Sequence, residues 1–248
     1  MTERILSIKT TSQEAMLRGL QREKTNRAVL LYSAGADSTA TGVILREEGK
    51  EIHPLFIDYG QTAREAEECL VSKGSLLLGF EKPKILRTDI LTQLSTSELL
   101  GGNAINDTNA WVPGRNSLFL LYAGIYAHQI DADGVAIGFM LDDTGVFGDS
   151  DYIHHKTLEL LLTQTLSRPM EMFLPIKSET KESVFRILFE RGIVDLTVSC
   201  WNATVANNQV VTCHNCANCV EREKNLSGII FDAKTDGNIP TRTYCINP

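Results

Sequence analysis

Apolar residues in this chain fall into short continuous runs, and amphipathic stretches separate them. The run Ala28, Val29, Leu30, Leu31 and Tyr32 predicts a buried strand, and a helix-compatible stretch follows over 39–46. The same alternation predicts a strand over 52–57, an amphipathic helix over 62–78 (Ala63, Ala66, Leu70, Leu77) and a short strand over 84–87. Further on it predicts an apolar helix over 117–130, a strand over 134–139, a helix over 152–166 and a strand over 173–176. The stretch 177–191 reads as a helix that starts after Ser178. Strands alternating with helices predict an α/β fold with a doubly wound parallel sheet. Ahead of it, Ile5, Leu6 and Ile8 suit a short strand, and Ala15, Met16, Leu17 and Leu20 suit one face of a short helix. Residues 88–112 are polar and carry Gly101, Gly102, Asn103, Asn106, Asp107 and Asn109, the mark of a long loop that is either functional or disordered.

Composition narrows the class. The 248 residues are 43% hydrophobic and 22% charged, ordinary for a globular protein with a sizeable core. No apolar run reaches the ~18 residues of a membrane span, and Glu3, Arg4 and Lys9 interrupt any leader-like stretch. A cytoplasmic location is expected. The net charge of −7 argues against a main role in gripping nucleic acid, and favours a small-molecule or protein substrate.

The first strand runs into Ser33, Ala34, Gly35, Ala36, Asp37 and Ser38. A small-residue loop between a strand and a helix exposes successive backbone N–H groups, and the helix N-terminus adds partial positive charge. Ser33 and Ser38 can donate hydroxyl hydrogen bonds to phosphate, and Asp37 can hold Mg²⁺. The expected ligand is a nucleotide polyphosphate such as ATP. An ordinary strand–turn–helix with a serine cap is the plainer alternative.

Other candidates sit at strand ends, where open α/β sheets bind ligands. Asp58 and Gln61 follow the second strand and are placed to read a nucleotide. Val112-Pro113-Gly114 makes a turn before Arg115 and Asn116, and a guanidinium at a helix start can grip phosphate or carboxylate. Asp142, Asp143 and Asp149 lie after the fourth strand, where they can receive a purine-like N–H edge or a metal. Lys181 can approach a phosphate. His154 and His155 open a helix in the manner of a surface pair. Each of these positions also has a plain structural reading as a turn, a cap or a solvated side chain.

Six cysteines suggest a reducing compartment with some thiols on a metal. Cys200 with Cys213, Cys216 and Cys219 has spacing suited to tetrahedral Zn²⁺. Four thiolates fill the shell and leave no position for a catalytic water, so the site is expected to be structural; an iron–sulfur cluster or a redox disulfide pair are the alternatives. Cys69 and Cys245 fall outside the set.

The 33–38 loop resembles the PP-loop of the N-type ATP pyrophosphatases, with Ala34 where the first loop glycine is usual. Together with Asp58-Tyr59-Gly60-Gln61, Val112 through Asn116, Thr180-Lys181-Glu182 and the four cysteines, it resembles the 7-cyano-7-deazaguanine synthase family over about residues 28–225. The resemblance implies an adenine-nucleotide α-hydrolase-like fold with a C-terminal four-cysteine zinc knuckle. It divides the chain into an N-terminal extension (1–27), a PP-loop nucleotide-binding domain (28–195) and a zinc-binding region with a tail (196–248). It implies adenylation of a 7-carboxy-7-deazaguanine by ATP, amidation with ammonia and dehydration to the nitrile. Asp37, Ser38, Arg115 and Lys181 are then catalytic. Residues Ser33, Ala34, Gly35, Ala36, Asp37, Ser38, Asp58 and Gln61 take the nucleotide, and Arg115, Asn116, Asp142, Asp143 and Asp149 the acid. ATP, Mg²⁺ and Zn²⁺ are the implied cofactors, and a homodimer the implied assembly. The segment 138–150 keeps Asp142, Asp143 and Asp149 but departs from the family's Gly-Val-Asn-x-Glu-Asp-x-Ser-Gly-Tyr-Pro-Asp-Cys pattern. Two alternatives follow. One is a diverged relative from anti-phage defence that couples the acid to another amine, on a partner protein for example. The other is a nucleotide-binding, zinc-stapled interaction module without turnover.

Overall fold

The computed structural model describes residues 23–102, 105–106, 108–141 and 148–235. The readings made above for residues 1–22, Asp142, Asp143 and Cys245 therefore lie outside the described residues.

Strand β1 (Arg27–Leu31) leads into helix α1 (Ala36–Glu47), then β2 (Glu51–Asp58), α2 (Arg64–Leu78) and β3 (Lys84–Arg87). These are followed by α3 (Ile90–Leu94), α4 (Arg115–Gln129), β4 (Gly134–Ala136), α5 (Tyr152–Thr165), β5 (Glu171–Phe173) and α6 (Lys181–Glu190). The described residues continue through a hairpin, β6 (Thr204–Ala206) with β7 (Gln209–Val211), to α7 (Ala217–Thr235). The main sheet is parallel with order β3-β2-β1-β4-β5, flanked by helices, which is the fold expected from the alternation. Among the described residues no helix is long and apolar enough to cross a membrane.

Burial on both faces explains the unbroken apolar run of β1. Ala28, Leu30 and Tyr32 enter one core cluster, while Val29 packs into the other with Leu55 and Ile57 of β2. Pro54 is tolerated in β2 because β3 pairs only from Leu55 onward, so the missing N–H falls outside that ladder.

Several expected bounds shift. Strand β4 stops at Ala136, because Gly138 already abuts the loop after β1: a Cβ there would lie 2.8 Å from the Asp37 carbonyl carbon. Strand β5 occupies 171–173 rather than 173–176. Its register against Gly134, Val135 and Ala136 fixes it there, and Pro175 cannot donate to a ladder. The 88–112 stretch contains α3 and a 3-10 turn at Glu98–Leu100. Strand order reverses between β1 and β4, and that switch point positions the site.

Candidate functional site

A cleft of about 430 Å³ opens at the carboxyl ends of β1, β2 and β4. One end is the 33–38 loop. Ser38 Oγ donates to Gly35 O (3.2 Å), Gly35 N donates to Ser33 Oγ (3.3 Å), and the two hydroxyls stand 3.4 Å apart. Both hydroxyls therefore face one small region at the N-terminus of α1. Ala34 adopts φ +56°, the left-handed region where a glycine is cheaper. Its carbonyl accepts from Val198 N at 2.8 Å, which ties the loop to the segment running into Cys200.

Lys181 approaches the same end. Thr180 caps α6 in a reciprocal capping box with Ser183, which places Lys181 in the first helical turn. Lys181 Nζ lies 2.9 and 3.1 Å from the two carboxylate oxygens of Asp37.

The other end holds Arg115, Tyr59 and Glu67. Arg115 Nη1 donates to Tyr59 Oη at 3.2 Å, and its guanidinium also lies over the Tyr59 ring, 5.8 Å from the centroid. Burial pushes the Tyr59 phenol up, so it is a neutral hydroxyl at pH 7. Burial also pushes the Glu67 carboxyl up to about 7, against the opposing pull of the Gln61 N–H and of Arg115. The sequence reading missed Glu67, whose position in the first turns of α2 gives no local sign of burial.

The remaining expected residues separate. Gln61 is 2% exposed and its amide is spent internally: Nε2 donates to Ile57 O and Glu67 Oε2, and Oε1 accepts from Tyr59 N. Asp58 is outside the residues lining the cleft; it accepts from Gly60 N and lies 3.7 Å from Arg87. Asn116 lines the cleft, but its side chain donates to Asp149 O and Ser150 Oγ, and its backbone N–H to Asp149 Oδ2. Asn116 thus pins the segment that enters α5. The histidine pair is not a surface pair. His155 is 1% exposed and lines the cleft, and His154 Nε2 is 2.7 Å from Ser117 Oγ.

The four cysteines converge beside the loop end. All four sulfurs lie within 4.8 Å of one another, with Cys200 and Cys213 at 3.5 Å and Cys213 and Cys219 at 4.0 Å. A tetrahedron of ~2.3 Å metal–sulfur bonds needs sulfurs about 3.8 Å apart, so the set fits a single ion. Cys213 N donates to Cys200 Sγ and Cys216 N to Cys213 Sγ, the amide contacts that a thiolate attracts. Burial pushes the Cys200 thiol up to about 11. Burial also works to raise Cys213, but N–H donors from Asn215 and Cys216 outweigh it and hold that thiol at about 6. Four thiolates in this space need a cation, and the cluster could hold a metal.

Residues 27–229 match the model of the family described as queuosine biosynthesis protein QueC. Solved structures similar to this chain include the tRNA thiolase NcsA from Methanococcus maripaludis, with its iron–sulfur cluster. It has 14% identity over 92% of this chain and 73% of that one, at a TM-score of 0.49. A 4-thiouridine synthetase–RNA complex with bound ATP has 17% identity over 88% and 54%, also at 0.49. NMN synthetase from Francisella tularensis has 13% identity over 96% and 98%, at 0.43. These solved structures are distant and say nothing of this chain's substrate. The family match spans most of the chain, and the chain belongs to the queuosine biosynthesis protein QueC family.

Proposed function

We propose that this protein is an ATP-dependent carbon–nitrogen ligase acting on a 7-carboxy-7-deazaguanine. The observation that carries the proposal is the single cleft that joins a phosphate-binding loop with Lys181 at one end to Arg115, Tyr59 and Glu67 at the other. A carboxylate is a poor electrophile. Its oxygen attacks the α-phosphorus of ATP, the α–β bridging bond breaks, and pyrophosphate leaves. Ammonia then attacks the acyl carbon, AMP leaves with the C–O electron pair, and a proton is lost. The amide oxygen then attacks the α-phosphorus of a second ATP, pyrophosphate leaves, and elimination of AMP with that oxygen and loss of two protons gives the nitrile.

The chain's own residues supply positioning and charge. Ser33, Ser38 and the N–H groups at the start of α1 receive the phosphates, and Lys181 offsets charge developing on the departing pyrophosphate. Asp37 would hold Mg²⁺, which would neutralise phosphate charge there. Arg115, held by Tyr59, would orient the acid. Cys200, Cys213, Cys216 and Cys219 would hold one Zn²⁺ with no open position, in a structural role that steadies the loop through Val198.

Mass spectrometry of products from the purified protein with ATP, Mg²⁺, ammonia and the acid tests this reading, with AMP followed in parallel. Nitrile plus AMP is the expected result. AMP with only adenylate or amide would replace ammonia or the final step. Absence of AMP from metal-loaded protein would overturn the ligase assignment.

A further inference from the structure

Amidation sheds a proton, and the residues given roles above do not take it. Lys181 and Arg115 are cations, and the Asp37 carboxylate is held by Lys181. Glu67 lines the same cleft, is half-buried, and stands on α2, far from the loop end. Its two oxygens differ. Oε2 accepts from Gln61 Nε2 at 2.8 Å, and Gln61 is itself fixed by Ile57 O and Tyr59 N. Oε1 accepts no hydrogen bond among the described residues and is not one of their sealed polar atoms. One oxygen therefore orients the carboxyl group, and the other is free to take a proton.

The surrounding charges suit that task. Arg115 of α4 is the cation beside Glu67, and Asp58 at the end of β2 is the anion. Tyr59, between Arg115 and the carboxyl, is a neutral hydroxyl at pH 7. The β6–β7 hairpin also packs on α2 and carries no titratable side chain, and the 3-10 turn Val194–Leu196 brings only the exposed Asp195. Burial lifts the Glu67 carboxyl to about 7, so it can both accept and release a proton near neutral pH. Arg115 orients the acid in the reading above, which puts the acyl carbon at this end of the cleft.

We propose that Glu67 is the general base of the amidation, and that its free oxygen takes the proton shed as the C–N bond forms. This rests on the substrate reading given above. The ammonia lone pair makes the C–N bond, and the carbonyl π pair moves to oxygen. An N–H pair stays on nitrogen while its proton passes to Glu67 Oε1. The carbonyl re-forms, AMP leaves with the C–O pair, and Glu67 returns the proton to water.

The test separates activation from amidation. ATP–pyrophosphate exchange with 7-carboxy-7-deazaguanine and no ammonia reports adenylation. Amide and nitrile formed at subsaturating ammonia report the step assigned to Glu67. Rates are expressed per free NH₃, which removes the titration of ammonium. Wild-type amidation should rise through about pH 7 and level off above it. Glu67→Gln, which keeps the contact with Gln61, should lower amidation about 10²-fold or more, flatten its pH profile, and lower exchange far less. Added formate, a small carboxylate, should restore part of the amidation lost in Glu67→Ala. Amidation by Glu67→Gln equal to wild type overturns the base. An equal fall in exchange and amidation, with no rescue of Glu67→Ala by formate, also overturns it and assigns Glu67 to holding the cleft. Absence of exchange from folded, ATP-binding wild type overturns the substrate reading, and the base with it.

Discussion

Lys181 and Asp37 are 144 positions apart, yet the Lys181 ammonium contacts both oxygens of the Asp37 carboxylate, at 2.9 and 3.1 Å. Asp37 opens α1 and Lys181 opens α6, so two helix N-termini point their positive ends at the same region. The pair is part-exposed and contributes little to stability. Its consequence is positional: a cation and a carboxylate are fixed at the mouth of the 33–38 loop.

Lys181→Ala should therefore lower kcat/KM for ATP by about 10²–10³, the usual cost of deleting one electrostatic contact to developing charge. Asp37→Asn should abolish detectable AMP formation. Both variants should melt within a few degrees of wild type and keep their full metal content. Wild-type AMP release from Asp37→Asn would remove the loop from the chemistry.

Ala34 bears a backbone angle that normally falls to glycine. At φ +56° an L-residue costs roughly 1–2 kcal/mol. Its methyl group is fully buried, which returns about 0.8 kcal/mol, and glycine would cost a further ~0.4–1 kcal/mol through unfolded-state entropy, so the opposing effects nearly cancel. Ala34→Gly should thus stay within about 1 kcal/mol of wild type by denaturant titration and should turn over ATP. Ala34→Val, β-branched and confined, should lose more than about 2 kcal/mol. A valine variant as stable as wild type would show that the loop does not hold this angle.

The parts of the site that were legible in the sequence are those whose chemistry is local. The residues from Ser33 to Ser38 follow a strand and precede a helix, and the spacing of Cys213, Cys216 and Cys219 lets three sulfurs converge on its own. Glu67 and His155 were illegible because their character comes from burial, which neighbours distant in sequence decide. For Glu67 the distant neighbour is Arg115, and for His155 it is Phe139. The β6–β7 hairpin did leave a signal. Asn207 and Asn208 both take positive φ, 51° and 60°, the demand of a two-residue turn between Thr204-Val205 and Val210-Val211. Helix α7 was hidden because its first turn, from Ala217, overlaps the closely spaced Cys216 and Cys219, whose pattern reads as a metal knuckle rather than as a helix start.

The cysteine cluster reaches the loop through one short segment: Cys200 is a metal-ligand candidate and Val198 N donates to Ala34 O. Cys216→Ser should lose bound metal and, with it, ATP affinity, because the segment that clamps the loop loses its anchor. Metal analysis and nucleotide titration on the same preparation check this. A chelator applied to wild type should weaken nucleotide binding in parallel. If a soluble Cys216→Ser protein keeps a full complement of metal, the four-thiolate site is wrong; if it loses metal but binds ATP as wild type does, the coupling through Val198 is wrong.

Glu67 gives a pH dependence of defined sign. Its carboxyl is pushed from an ordinary 4.5 to about 7, chiefly by burial. Below pH 4.5 both folded and unfolded chains hold the proton and the shift has no effect. Between 4.5 and 7 the folded chain keeps a proton that the unfolded chain releases, so stability falls as pH rises. Above 7 the loss is complete, at most about 3 kcal/mol for a shift of this size. Glu67→Gln removes the titration and keeps the contact with Gln61, since its amide oxygen also accepts. The variant should gain several degrees in melting temperature over wild type at pH 8, and the difference should shrink toward pH 4. Buried His155 titrates in both proteins and cancels in the comparison. Parallel melting curves across that range would mean that Glu67 is solvated in the free cleft. A gap that widens on acidification would mean that Arg115 holds it as a carboxylate.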